Sequence, residues 1–88
     1  MKIEILNSFI RDVKKIKDTQ IKNKIKEIFN EIENSNSLNE IKNLKKMSGY
    51  NDFYRIRLKD YRIGIYFSEN VIYLVRILHR KEIYKFFP

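Results

Sequence analysis

Three rhythms of apolar residues follow one another along this chain of 88 residues. Lys2–Leu6 (Lys-Ile-Glu-Ile-Leu) is short, alternating and apolar, the pattern of an edge strand. From Ser8 the period becomes helical, with Phe9, Val13 and Ile16 on one side and Arg11, Lys14, Lys15 and Lys17 on the other. Ser8 is the expected N-cap, because its hydroxyl can accept from the first-turn amides. Asp18 or Thr19 then opens a second helix whose Ile21, Ile25, Ile28, Phe29 and Ile32 form one apolar stripe. Asn34-Ser35-Asn36-Ser37 ends it, since these side chains compete for backbone hydrogen bonds. Two amphipathic helices with a short connection predict an antiparallel hairpin. Neither carries a recognisable catalytic group, and both read as scaffold.

Leu38, Ile41 and Leu44 support one more turn or a short irregular segment. Met47-Ser48-Gly49 is the break before the sheet, and Asn51-Asp52 reads as a turn. The second half alternates with period two. Tyr54, Ile56 and Leu58 interleave with Arg55, Arg57 and Lys59; Tyr61, Ile63, Ile65 and Phe67 interleave with Arg62, Gly64, Tyr66 and Ser68. Val71–Leu78 is almost wholly apolar and is expected to be central and covered on both faces. Asp60 and Glu69-Asn70 supply the turns. The expected architecture is α+β, a single domain over 1–88. It comprises an N-terminal edge strand, an antiparallel helical hairpin and a three-stranded antiparallel meander packed on the helices.

A two-residue turn at Lys59-Asp60 pairs Leu58 with Tyr61, Arg57 with Arg62, Ile56 with Ile63, Arg55 with Gly64 and Tyr54 with Ile65. Every apolar member then lands on one face and every basic member on the other, whereas a slip of one residue mixes them. Like charges directly opposed on a sheet are destabilising. Arg55, Arg57 and Arg62 on one face with no acidic neighbour therefore form a candidate anion site, because guanidinium groups bind phosphate in bidentate fashion and Tyr66 supplies a ring nearby. The competing reading is a solvated face whose long side chains splay into water.

Charge sharpens this picture. The net charge is +8, from 19 Lys+Arg against 11 Asp+Glu. Residues 1–40 hold 8 basic and 7 acidic side chains, whereas residues 41–88 hold 11 and 4. Ten of the twelve Phe and Tyr residues also lie between Tyr50 and Phe87, and basic charge interleaved with aromatics is the footprint of a nucleic-acid-binding surface. The absence of Cys excludes disulfides and thiolate metal sites and suits a reducing cytoplasm. No apolar run approaches the ~20 residues of a membrane span, and Met1–Ile10 lacks the apolar block of a signal peptide.

The last segment, His79-Arg80-Lys81-Glu82-Ile83-Tyr84-Lys85-Phe86-Phe87-Pro88, adds further candidates. His79 is the one side chain with an ordinary pKa near neutrality, although a lone His at a strand end is more often structural. Arg80 and Tyr84 fit a segment returning across the sheet, anchored by Ile83 and Phe86 or Phe87.

The Tyr54-Arg55-Ile56-Arg57-Leu58-Lys59-Asp60-Tyr61-Arg62-Ile63 run, followed by Val75-Arg76-Ile77-Leu78-His79-Arg80-Lys81-Glu82-Ile83-Tyr84, resembles the RelE/ParE superfamily of toxins from type II toxin–antitoxin modules. The preceding strand and helices match in order and length. In the RelE branch the resemblance implies ribosome-dependent mRNA cleavage without metal or cofactor, by attack of a 2′-hydroxyl on the adjacent phosphate. It assigns Arg62 to steadying the phosphate, Arg80 to the leaving group, and Tyr84 to base stacking or proton transfer. Arg55 and Arg57 stand where some relatives have two lysines, and Lys59 stands where the family often has Gly. An arginine stays charged and cannot serve as a base. The two therefore contribute electrostatic stabilisation, and the base is sought among His79 (first choice), Tyr84, Lys59 and groups of the substrate or ribosome.

The implied partners are a small acidic antitoxin, the ribosome and mRNA, with operator DNA as a target of the antitoxin complex. Two other functions fit the same residues. One is a ParE-like inhibitor of DNA gyrase that cuts nothing; the other is a non-catalytic RNA-binding module.

Overall fold

The computed structural model describes residues 1–88. Strand β1 (Lys2–Ile5) leads into helices α1 (Asn7–Lys15) and α2 (Thr19–Asn34) and one 3-10 turn at Leu38–Glu40. Strands β2 (Leu44–Lys46), β3 (Phe53–Leu58), β4 (Tyr61–Ser68) and β5 (Val71–His79) follow, and a short helix α3 (Ile83–Phe86) closes the chain. The sheet order is β1-β5-β4-β3-β2, with β1 parallel to β5 and every other pair antiparallel. The meander thus has four strands, where three were expected. The extra strand, β2, pairs Lys45 with Arg55, and at three residues it is too short to display an alternating period.

The helices bury Phe9, Ile16, Ile21 and Ile32 against Ile56, Leu58, Ile63, Ile65, Ile72, Leu74 and Ile77 of the sheet. Asp18 caps α2 as expected, accepting from the Gln20 amide at 2.8 Å. The end of α2 also follows the expected competition: Asn34 Nδ2 and Ser35 Oγ donate to the carbonyls of Asn30 and Glu31.

Ser8 does not cap α1. The helix starts one residue earlier, directly out of β1, with Leu6 at the cap position and no side-chain cap. Ser8 Oγ instead donates to the Val75 carbonyl at 2.6 Å. Asp12, four residues on and on the same helix face, accepts from the Ile77 amide at 3.0 Å. Because β1 pairs only with Val71–Leu74, these two side chains of α1 serve the edge of β5 where β1 has run out. Asp12 also takes Arg76 Nε at 2.7 Å and Nη2 at 3.1 Å. That hydrogen bond, opposed by burial and assisted by the carboxylate's charge, raises the Arg76 pKa.

The β3–β4 register is the expected one, Arg57 facing Arg62 and Arg55 facing Gly64. Lys59 in the two-residue turn has φ 54°, the left-handed region glycine favours. Between β4 and β5 the register shifts at Gly64/Ile65, leaving Val75 as a bulge. β5 is covered on both faces over part of its length, by the main core and by a second cluster in which Met47, Ile83 and Phe87 pack on Val75 and Leu78.

Candidate functional site

Pairing parity places Arg55, Arg57 and Arg62 on the sheet face opposite the helices, since their alternating neighbours Ile56, Leu58, Ile63 and Ile65 are buried in the main core. Lys45, opposite Arg55 on β2, shares that face. These four and Asn43 line an open cavity of about 350 Å³ with no hydrophobic residue in its wall.

The arginines are oriented by neutral acceptors. Arg62 Nη1 donates to the carbonyls of Lys59 and Tyr61, both at 2.8 Å, so the hairpin turn holds its own phosphate-binding candidate. Arg57 Nη2 reaches Asn43 Oδ1 at 3.4 Å. The Arg55 guanidinium carbon lies 5.8 Å from the centroid of the Tyr84 ring, a cation–π distance. No carboxylate comes within 4.0 Å of any of the three; the ion pairs of the chain involve Lys2, Arg76, Arg80 and Lys85. Partial burial lowers the Arg62 pKa, and the positive charges of Arg55 and Arg57 lower it further, with Tyr84 opposing and Arg80 adding. An arginine so placed remains charged, and after burial the crowding of like charge is what opposes it. That crowding is relieved when an anion enters.

Arg80 and Tyr84 border this cluster. Arg80 donates its backbone amide to the Asp60 carbonyl at 2.7 Å, and its exposed guanidinium sits at 4.0 Å from the Asp60 carboxylate. Tyr84, on α3, is 62% exposed, which leaves its ring free to meet a ligand. Tyr66 lies farther along the same face in a row with Phe53 and Tyr73, at centroid distances of 5.2 and 5.6 Å.

Two expected residues are elsewhere. His79 pairs with Tyr61, whose ring packs on the main core, so it lies on the helix side of the sheet. It meets Tyr61 edge-on at 6.0 Å, accepts from the Lys81 amide at 3.2 Å, and lines a separate cavity with Asp12 and Arg76. Lys59 turns its ammonium to Gln20 Oε1 of α2 at 3.1 Å. Conversely, Lys45 and Asn43 were missed. The signal for Lys45 was its place in a basic pair just before the break, but the parity of a strand too short to recognise was needed to aim it.

Comparison with known proteins gives consistent results. Residues 3–84 match the family model described as ParE toxin of type II toxin-antitoxin system, parDE. Toxin RelE3 of Methanocaldococcus jannaschii is 45% identical over 89 residues, covering 100% of both chains. Among solved structures, the RelB-RelE antitoxin-toxin complex from Methanococcus jannaschii is similar at TM-score 0.81 and 44% identity, covering 96% of this chain and 98% of that one. The toxin-antitoxin complex RelBE2 from Mycobacterium tuberculosis shares the fold at TM-score 0.69 and 17% identity, covering 90% and 96%. YafQ from E. coli shares it at TM-score 0.64 and 16% identity, covering 94% and 97%.

Proposed function

Because the chain belongs to the RelE/ParE superfamily, as a toxin of a type II toxin–antitoxin module, we propose that it is a ribosome-dependent endoribonuclease whose arginine face grips the scissile phosphate of mRNA. The observation that carries this reading is the unneutralised Arg55–Arg57–Arg62 cluster, held open by neutral acceptors beside an exposed tyrosine.

In the proposed reaction a ribose 2′-oxygen forms a bond to the adjacent phosphorus and the bond from phosphorus to the 5′-oxygen breaks. The products are a 2′,3′-cyclic phosphate and, once the departing oxygen takes a proton from water, a 5′-hydroxyl. Negative charge grows on the non-bridging oxygens as the phosphorus becomes five-coordinate. Arg62, already aimed by two carbonyls, and Arg55 and Arg57 beside it stabilise that charge without reorganising. Arg80 at the rim steadies the charge developing on the departing oxygen, and Tyr84 stacks on a neighbouring base or handles a proton.

None of the arginines can accept the 2′-hydroxyl proton. With His79 and Lys59 directed to the helix side, the base is Tyr84 or a group supplied by the ribosome or the RNA, which favours dependence on the ribosome. The partners that follow are the ribosome, mRNA and a cognate acidic antitoxin that folds as it binds the basic chain, in a complex that itself binds operator DNA. The proposed compartment is the cytoplasm.

Expression of the chain followed by primer-extension mapping tests this. Breaks should fall inside translated codons, and Arg62→Ala should lower cleavage by roughly 10²–10³-fold, the scale for losing one preorganised oxyanion donor, while the fold stays intact. Undiminished cleavage by that variant would remove the proposed phosphate site. The match to a ParE family model keeps one second reading in view, inhibition of DNA gyrase. Intact mRNA with an induced DNA-damage response would select it.

A further inference from the structure

Gly64 faces Arg55 across the β3–β4 pair. Its φ is not in the left-handed region, so its backbone does not call for glycine. Space does. A Cβ at this position would stand 2.7, 2.7 and 2.8 Å from Cδ2, Cγ and Cε2 of Phe87, well inside van der Waals contact. The phenyl ring of Phe87, 3% exposed, occupies the volume that any side chain at 64 would fill, and meets Phe53 edge-on at 5.5 Å. Ile83, fully buried, sits beside it in the cluster with Met47. The Phe87 amide closes the turn by donating to the Ile83 carbonyl at 2.8 Å.

Helix α3 has only four residues and cannot hold itself in place. Its buried contacts are Ile83 and the adjoining Phe87, four positions apart and bracketing Tyr84. Tyr84 itself is exposed and meets the cluster through the 5.8 Å approach of its ring to Arg55.

We propose that Gly64 and Phe87 form a seat that positions Tyr84 over Arg55, making both of them positioning residues for the phosphate site. This inference rests on the reading of Tyr84 as a group that meets RNA, but the seat itself is testable without RNA. The natural perturbation is Gly64→Ala, which fills the seat; pairing it with Phe87→Ala, which removes all three of the atoms that the new Cβ would strike, provides the rescue.

The first readout is the ring-current shift that Tyr84 imposes on the Arg55 side-chain protons, defined by NMR as the part lost in Tyr84→Ala. Gly64→Ala should abolish it, and Gly64→Ala/Phe87→Ala should recover it to the level of Phe87→Ala. Phe87→Ala alone should weaken it, which keeps the test decisive if Gly64→Ala does not fold. The second readout is cleavage on ribosomes. Gly64→Ala should lower kcat by up to about 10²-fold, the scale for displacing a reacting group by an ångström, with KM little changed because the arginines are untouched. The double variant should return most of that loss. A Gly64→Ala chain that keeps the Arg55 shift, or a double variant that recovers fold stability but neither shift nor kcat, overturns the proposal. A wild-type chain that never cleaves mRNA overturns the nuclease reading, while the NMR series still decides whether the seat positions Tyr84.

Discussion

Replacing Asp12 with alanine removes the one carboxylate buried in this protein, 6% exposed, and the cost can be worked from its three bonds. The Ile77 amide, held at 3.0 Å, loses its acceptor at an edge of β5 that no strand covers, a penalty of about 1–3 kcal/mol. Arg76 loses contacts at 2.7 and 3.1 Å, but its side chain is 27% exposed and can turn to water. Its share is therefore about 1 kcal/mol, below the ~3–5 kcal/mol for breaking a fully buried pair. The sum is about 2–4 kcal/mol. For a domain of this size each kcal/mol moves Tm by about 4–8 °C, so Asp12→Ala should melt roughly 10–25 °C lower. Calorimetry at neutral pH reads this directly. Adding Arg76→Ala and Asp12→Ala/Arg76→Ala completes a double-mutant cycle, with a coupling of about 1–2 kcal/mol expected. A Tm within a few degrees of the parent chain would refute the view that α1 substitutes for a missing strand at this edge.

Two further substitutions probe the basic half of the molecule. Lys59→Gly should raise the urea midpoint: left-handed φ costs a non-glycine residue about 1–2 kcal/mol, and glycine's extra unfolded-state entropy returns about 0.5–1 kcal/mol of that. A lower midpoint would mean that the bond from Lys59 Nζ to Gln20 matters more than the backbone. Lys45→Ala should weaken binding of a single-stranded oligoribonucleotide to a similar degree for all sequences, and should reduce the slope of log K against log salt by about 0.7. An unchanged slope would place Lys45 outside the phosphate path.

The hairpin was legible because its information is redundant. In β3 and β4 the apolar and basic sets alternate in phase, so one turn length satisfies both faces at once, and the cluster of Arg55, Arg57 and Arg62 followed from parity alone. The helices were legible for the same reason, each with a stripe matching its period. What escaped were features made by one residue acting across the fold. Ser8 looks like a cap because its chemistry is that of a cap, and only the position of Val75 shows where its hydroxyl goes. Asp12 looks like one more charge on a polar helix face until α1 lies along an unpaired edge.

His79 is the sharpest case, and its cause is a single bulge. Strict alternation from Ile72 puts 72, 74, 76 and 78 on the core side and carries His79 to the outer face, toward the arginines. The extra residue at Val75 breaks that count. Beyond it Ile77 is the buried residue and Leu78 turns outward onto the Met47–Ile83–Phe87 cluster, so His79 is delivered to the helix side against Tyr61. The same shift brings the Ile77 amide to Asp12 and Leu78 beneath α3. One inserted residue therefore removes the candidate base from the proposed phosphate site and builds the platform on which Tyr84 stands. In the proposed nuclease reaction, the chemistry left to the chain's own side chains is to hold charge in place, and the proton is taken by Tyr84 or by what the toxin binds.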